Sequence, residues 1–209
     1  MIKGIVFDLD GTLIDTAGVL AKAWENAFIS EGVNPGYNEL YEHTRGISSK
    51  DIIRKYTQMS STEDITRIKE KRRENFLQII KSGAELLYPE TLDTIDKIKS
   101  KGIKIAIGTG MSFDLLKTVL KMTELEKVID VVVSSDDVNE GKPAPDIFIE
   151  AFNRLKVDPK EGMVVGDSEN DIIPGKKIGA FTVFISRSGE KLKLADKNIN
   201  NLVELLNFI

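Results

Sequence analysis

Phe7-Asp8-Leu9-Asp10-Gly11-Thr12-Leu13 is the stretch that decides the fold and points to the chemistry. It follows a short apolar run, Ile2 to Phe7, of the kind that forms a buried strand. That strand stops on two acids one residue apart. At about 4 Å and an effective dielectric of about 20, two like charges repel by roughly 4 kcal/mol. Such an ending calls for a cation or a chemical task to offset it. In a strict strand, period two turns Asp8 and Asp10 to one side, so both can address one ligand. Gly11 then lets the chain leave by a turn that a Cβ would obstruct.

C-terminal to this stretch the texture changes. From Asp15 to about Gly83 the apolar residues recur at helical spacing and no strand is expected. Leu20, Trp24, Ala27 and Phe28 share one face, which makes Trp24 a packing residue. Asp15 or Thr16 is placed to cap that helix and Gly32 to end it. Further helices are expected over Tyr37 to Thr44, Ser48 to Met59 and Thr62 to about Lys81, the last capped at Ser61 with acids in its first turn. Lys69, Lys71, Arg72 and Arg73 read as a solvated face, and His43 as exposed and idle.

From Leu86 onward helices and strands alternate. Strands are expected at Ile103 to Ile107, Val128 to Val133, Met163 to Val165 and Thr182 to Ile185. Helices are expected at Thr91 to Lys101, Ser112 to Met122, Asp146 to Leu155, Asn170 to Ile178 and Leu202 to Leu206. Strands separated by helices imply a parallel sheet covered on both faces. The economical architecture is an α/β, Rossmann-like core over residues 1–14 and 84–209, with an all-α cap inserted at residues 15–83.

Length and composition are consistent with this plan. The chain has 209 residues, 41 % of them apolar, enough for one domain with a substantial insertion. A net charge of −4 argues against a nucleic-acid partner, which usually meets a basic excess. There is no cysteine, so thiolate chemistry is excluded. No signal-peptide layout opens the chain, and no apolar stretch approaches the roughly 20 residues needed to span a bilayer. A cytoplasmic protein without membrane partners is expected, as a monomer or homodimer.

Ligands of open parallel sheets bind beyond the carboxyl ends of the strands. There the sequence places Asp8 and Asp10, then Thr109 and Gly110, then Asp167 with Asp171 a helical turn on. Lys142, in a loop before Pro143, joins them. Each has an ordinary reading: Asp-x-Asp also occurs in calcium loops, Thr109 and Asp167 could be caps, and Lys142 could be merely exposed. Together, at strand ends, they make a poor core and a good phosphate-and-magnesium site. Mg²⁺ takes hard oxygen ligands and keeps several waters, so a few carboxylates suffice. Lysine offers a point charge to phosphate oxygens. The helix opening near Ser112 is expected to aim backbone N–H groups at the same anion.

Asp8-Leu9-Asp10-Gly11-Thr12-Leu13, Thr109, Lys142-Pro143-Ala144-Pro145-Asp146 and Gly166-Asp167-Ser168-Glu169-Asn170-Asp171 resemble the four motifs of the haloacid dehalogenase-like hydrolase superfamily. The insertion after the first motif resembles the helical cap of phosphoglycolate phosphatases and β-phosphoglucomutases. Ala195-Asp196 before a short strand and helix is similar to the usual ending. The resemblance implies that Asp8 is a nucleophile giving an aspartyl-phosphate and Asp10 a general acid and then base. It further implies Mg²⁺ on Asp8, the Asp10 carbonyl and Asp167, with Asp171 in support, and phosphoryl contacts from Lys142 and Thr109. An Asp at position 10 favours phosphate chemistry over the dehalogenase and phosphonate-cleaving branches. Gly110 stands where many relatives carry Asn, so donors at that point differ.

The implied activity is that of a phosphatase acting on a small phosphorylated metabolite. In the cap, Thr44-Arg45-Gly46-Ile47-Ser48 resembles the loop that relatives point at substrate, where Arg45 or Lys50 would read an anionic group. A mutase would need an arginine just after that loop, and Ser49 stands there. A β-phosphoglucomutase-like phosphotransferase, a pyrophosphatase, and a non-enzymatic sensor of phosphorylated metabolites are the alternatives.

Overall fold

The alternating segments build a six-stranded, fully parallel sheet in a computed structural model that describes residues 1–44 and 47–209. Its strands are β1 (Gly4–Phe7), β2 (Lys104–Gly108), β3 (Val131–Val133), β4 (Gly162–Gly166), β5 (Phe181–Ile185) and β6 (Lys197–Ile199), in the order β3-β2-β1-β4-β5-β6. Four of them are runs of β-branched and aromatic residues too short to be helices. Chain direction along the sheet reverses at β1: β2 and β3 lie to one side, β4 to β6 to the other. Such a switch point opens a crevice beyond the strand ends.

The described residues divide into two compact units, Met1–Asp15 with Leu87–Ile209, and Thr16–Leu86. The first holds the sheet with helices α5 (Thr91–Ser100), α6 (Phe113–Met122), α7 (Asp146–Leu155) and α8 (Glu169–Lys177); the second holds α1 (Ala17–Ile29), α2 (Tyr37–His43), α3 (Ser49–Tyr56) and α4 (Thr62–Lys81).

Register explains the core of the first unit. Val6 pairs with Ala106 on one side and Val164 on the other, so period two turns all three to one face. Ile147, Phe148, Ala151, Phe152 and Leu155 of α7 cover that face. These recur at i, i+1, i+4, i+5 and i+8, a helical stripe. Each large side chain buried there contributes about 1.5–3 kcal/mol. Ile5, Phe7, Ile105 and Ile107 point to the opposite face and are equally buried.

In the second unit Trp24 and Phe28 stack with ring centroids 5.4 Å apart, within a cluster that includes Ala21, Ala27, Leu40, Ile52, Ile53 and Ile68. Ser61 and Ser48 cap α4 and α3, accepting from the N–H of Asp64 and Asp51 at 3.1 and 3.2 Å. The basic stretch of α4 is more than a solvated face. Lys71 and Arg67 both bind Glu31, at 2.7 and 3.0 Å, and the Arg72 guanidinium lies 5.5 Å from the Trp24 ring centroid. Lys69 is exposed, as is His43, whose Nε2 lies 3.8 Å from Glu39.

Two expected elements differ. The Leu125 carbonyl accepts from both Val128 and Ile129, holding the chain in a turn, so the third strand begins only at Val131. The short strand expected after Asp196 is the sixth, Lys197–Ile199, but the terminal helix is of the 3-10 type, over Leu202–Asn207.

Candidate active site

Strand register brings the chemistry to one edge. Phe7 lies level with Ile107 and Val165, so Asp8 falls level with Gly108 and Gly166, and Thr109 and Asp167 sit one residue further on. One residue along a strand is about 3.3 Å. Asp8 itself is just past β1, its N–H donating to the Val165 carbonyl at 2.8 Å. The acidic pair therefore does not ride on one strand. After Asp8 the chain winds into a tight turn, in which the Leu9 carbonyl accepts from Thr12, Leu13 and Ile14 and Gly11 N–H donates to the Ile14 carbonyl. Asp10 is carried by this turn.

Two glycines are dictated by the carboxylates they face. Gly11 has φ +79°, and a Cβ there would lie 2.0 Å from Asp167 Oδ2. A Cβ on Gly166 would lie 2.3 Å from Asp171 Cβ and 2.5 Å from its Cγ. Absence of these two side chains lets β1, β4 and α8 bring their acids together. Carboxylate oxygens of Asp8, Asp167 and Asp171 all lie within 4.8 Å of one another. Asp8 is 7 % exposed and Asp171 1 %, while Asp167 is the more open.

Lys142 joins this group from a loop 134 residues away in sequence, its Nζ 2.6 Å from Asp8 Oδ1 and 2.6 Å from Asp171 Oδ1. The same ammonium lies 4.9 Å from the Phe148 ring centroid. Ser168 Oγ donates to the other Asp171 oxygen at 2.6 Å, which fixes that carboxylate between two donors. Burial opposes the charge on Lys142, but Asp171 and Asp8 outweigh it and hold the amine protonated above its usual range. For Asp8, burial is the largest influence and pushes the carboxyl well above the usual carboxylate range. Lys142 pulls it back, while Asp171, Asp167 and Asp10 push it further up. One ammonium thus faces an excess of negative charge.

Thr109 is buried, donates its N–H to the Val133 carbonyl at 3.0 Å, and accepts from Met111 N–H on its hydroxyl at 3.1 Å. A hydroxyl so engaged still has a proton to donate. Gly110 is exposed, with open space where a Cβ would stand. The expected N–H donors at the start of α6 are not all available, because Asp136 Oδ2 accepts from Phe113 N–H at 2.8 Å and serves as that helix's cap. Arg45 lies outside the described residues.

Sequence reasoning passed over Ser168, Asp136 and a further residue, Arg187. Ser168 was discoverable as the donor beside Asp167. Arg187 follows β5, donates to Glu90 Oε1 at 2.6 Å and to the Thr12 carbonyl at 3.1 Å, and packs over the Tyr88 ring. No local pattern announces it.

The donor set is all hard oxygen, with negative charge in excess of the Lys142 ammonium, and this fits a hard divalent cation in preference to a soft metal. A metal-assisted transfer at phosphorus is the chemistry it can support.

Comparison with known proteins gives an independent line. The family model described as haloacid dehalogenase-like hydrolase matches residues 5–185. A phosphoglycolate phosphatase of Aquifex aeolicus is 29 % identical over 93 % of this chain and 97 % of its own length. The pyrophosphatase PpaX of Bacillus mycoides is 30 % identical over 88 % of this chain and 84 % of its own length. CbbY from Rhodobacter sphaeroides, crystallised with phosphate, is 27 % identical, with a TM-score of 0.82 over 98 % of this chain and 96 % of that one.

Proposed function

This chain belongs to the haloacid dehalogenase-like hydrolase family and is a phosphatase, and on that premise we propose that it hydrolyses a small-molecule phosphate monoester with Mg²⁺, through an aspartyl-phosphate on Asp8. The observation that carries the reading is the placement of Asp8 at 2.6 Å from Lys142 Nζ, within 4.8 Å of Asp167 and Asp171.

Asp8 attacks phosphorus, forming a new P–O bond as the ester P–O bond breaks. Asp10 gives its proton to the departing oxygen, then takes one from the water that releases phosphate from Asp8. Lys142, pinned between Asp8 and Asp171, keeps a positive charge beside the nucleophile and toward the phosphoryl oxygens. Thr109 has a hydroxyl proton to offer the same oxygens. Asp8, Asp167 and the Asp10 carbonyl would hold Mg²⁺, with Asp171 in support. When bound, the ion neutralises phosphoryl charge and favours the charged form of the carboxylates that hold it. Asp8 is only 7 % exposed, and the lower dielectric around it strengthens each of these interactions.

The similarity to PpaX favours pyrophosphate as a second substrate to examine. Hydrolysis of p-nitrophenyl phosphate, with Mg²⁺ and with EDTA, tests the reaction. Colour with Mg²⁺ alone is expected, and Asp8→Asn abolishes it because an amide is too poor a nucleophile. Full activity in EDTA, or in the Asp8→Asn variant, contradicts the proposal. Phosphoglycolate, pyrophosphate, hexose phosphates and nucleotides then form the substrate panel.

A further inference from the structure

We propose that Arg187 is a positioning residue for the general acid Asp10, holding from behind the turn that carries it. This inference rests on the phosphatase mechanism proposed above. The turn from Leu9 to Ile14 closes on itself through the Leu9 carbonyl and the Gly11–Ile14 bond. On one side Asp167 packs so closely against Gly11 that no Cβ would fit. From elsewhere in the same unit the Arg187 Nη2 reaches the Thr12 carbonyl at 3.1 Å. The Thr12 hydroxyl is buried and has no hydrogen-bond partner among the described residues, so the anchor is the backbone carbonyl. The turn bearing Asp10 is therefore gripped between Asp167 and Arg187.

The guanidinium is itself well fixed. Nη1 donates to Glu90 Oε1 at 2.6 Å, and the carbon of the fork lies 3.2 Å from the centroid of the Tyr88 ring. Only a planar fork can stack on a ring, pair with a carboxylate and reach a carbonyl at once. The backbone that presents it is equally constrained, since Gly189 at φ +84° returns its N–H to the Ser186 carbonyl. The Tyr88–Thr91 segment that Arg187 grips through Tyr88 and Glu90 is itself tied to the turn: Leu13 carbonyl accepts from Tyr88 N–H and from Thr91 Oγ1. Arg187 thus couples the β5 loop, the Tyr88–Thr91 segment and the Asp10 turn. A lysine at this position could satisfy Glu90 but not Thr12 at the same time.

The consequence is specific to proton transfer. A displaced Asp10 impairs protonation of a basic leaving group and hardly matters for one that departs unaided. The experiment is a series of substituted phenyl phosphates, from phenyl to 2,4-dinitrophenyl phosphate, measured as kcat/KM, which runs from free substrate through P–O cleavage and leaves out the later hydrolysis of the phosphoenzyme. In Arg187→Lys and Arg187→Met, kcat/KM for phenyl phosphate falls by about 10- to 100-fold, a partial loss of the roughly 10²- to 10⁴-fold that general acid catalysis contributes. For 2,4-dinitrophenyl phosphate it falls by less than about threefold, so the dependence on leaving-group basicity steepens. An unfolded fraction lowers every substrate by one factor, so an unchanged slope in a folded Lys variant overturns the proposal. Failure of the phosphatase reading is distinct, since wild-type protein would then turn over none of the series with Mg²⁺.

Discussion

Gly166→Ala adds one carbon where the site is tightly packed. The new Cβ would stand 2.3 Å from Asp171 Cβ, 2.5 Å from Cγ and 2.6 Å from Oδ2, where ordinary contact begins near 3.4 Å. Asp171 must retreat by about 1 Å, the difference between the first and last of these distances. It cannot do so freely, because it is 1 % exposed and belongs to α8, which packs on β4 and β5. A retreat of that size stretches the 2.6 Å bond to Lys142 beyond hydrogen-bond range. Overpacking costs about 1–3 kcal/mol, and loss of a charge-assisted bond about 1.5–3 kcal/mol. Together, about 2.5–6 kcal/mol corresponds to a fall in Tm of at least roughly 5–10 °C for a chain of this size. Calorimetry reads the stability, and Mg²⁺-dependent hydrolysis reads the site. Gly110→Ala is the control: the space there is open and the change stays within about 0.5 kcal/mol. If Gly166→Ala melts and turns over like wild type, the idea that this glycine exists to admit Asp171 is refuted.

Metal linkage gives another test: Mg²⁺ at about 100 times its Kd stabilises the native protein by about 2.7 kcal/mol, and Asp167→Asn removes most of that gain, read as the Tm difference between Mg²⁺ and EDTA. Equal shifts in the two proteins would remove Asp167 from the metal site. Glu31 predicts a pH dependence in the helical unit. Hydrogen bonds from Arg67 and Lys71 lower its pKa from 4.5 to about 2, so its stabilisation is complete above the higher value and is lost as pH falls toward the lower one. Thermal melts of wild type and Glu31→Gln should therefore converge between pH 4.5 and 2, and a constant gap across that window would contradict the pairing.

The fold was legible because its signals are local. Most of the strands follow from short apolar runs, and α4 begins and ends where Ser61 and Lys81 suggest because a cap and a helical stripe are both written in the chain. The candidate site was legible through one rule, that acids at the ends of parallel strands converge. It covers Asp8 and Asp167, whereas Lys142, from a loop, and Asp171, on α8, joined the candidate site through the phosphate-and-metal pattern and the motif resemblance. Contacts made by long side chains across the chain were not legible. Asp136 takes the N–H of Phe113 from 23 residues away, which is why the expected anion-binding helix end is already partly capped. Arg187 finds Glu90 across 97 residues, and no period or motif foreshadows that pair. Likewise the basic residues of α4 looked solvated because the burial of Trp24 and Glu31 beside them is a tertiary fact.

The central claim is that Asp8 carries the phosphoryl group. Acid quench during turnover of ³²P-labelled substrate with Mg²⁺, followed by peptide mapping, tests it most directly. The expected result is an acid-stable, hydroxylamine-labile label on the peptide containing Asp8, absent in EDTA and in Asp8→Asn. Label on any other residue, or an Asp8→Asn variant that still forms the phosphoenzyme, would contradict it.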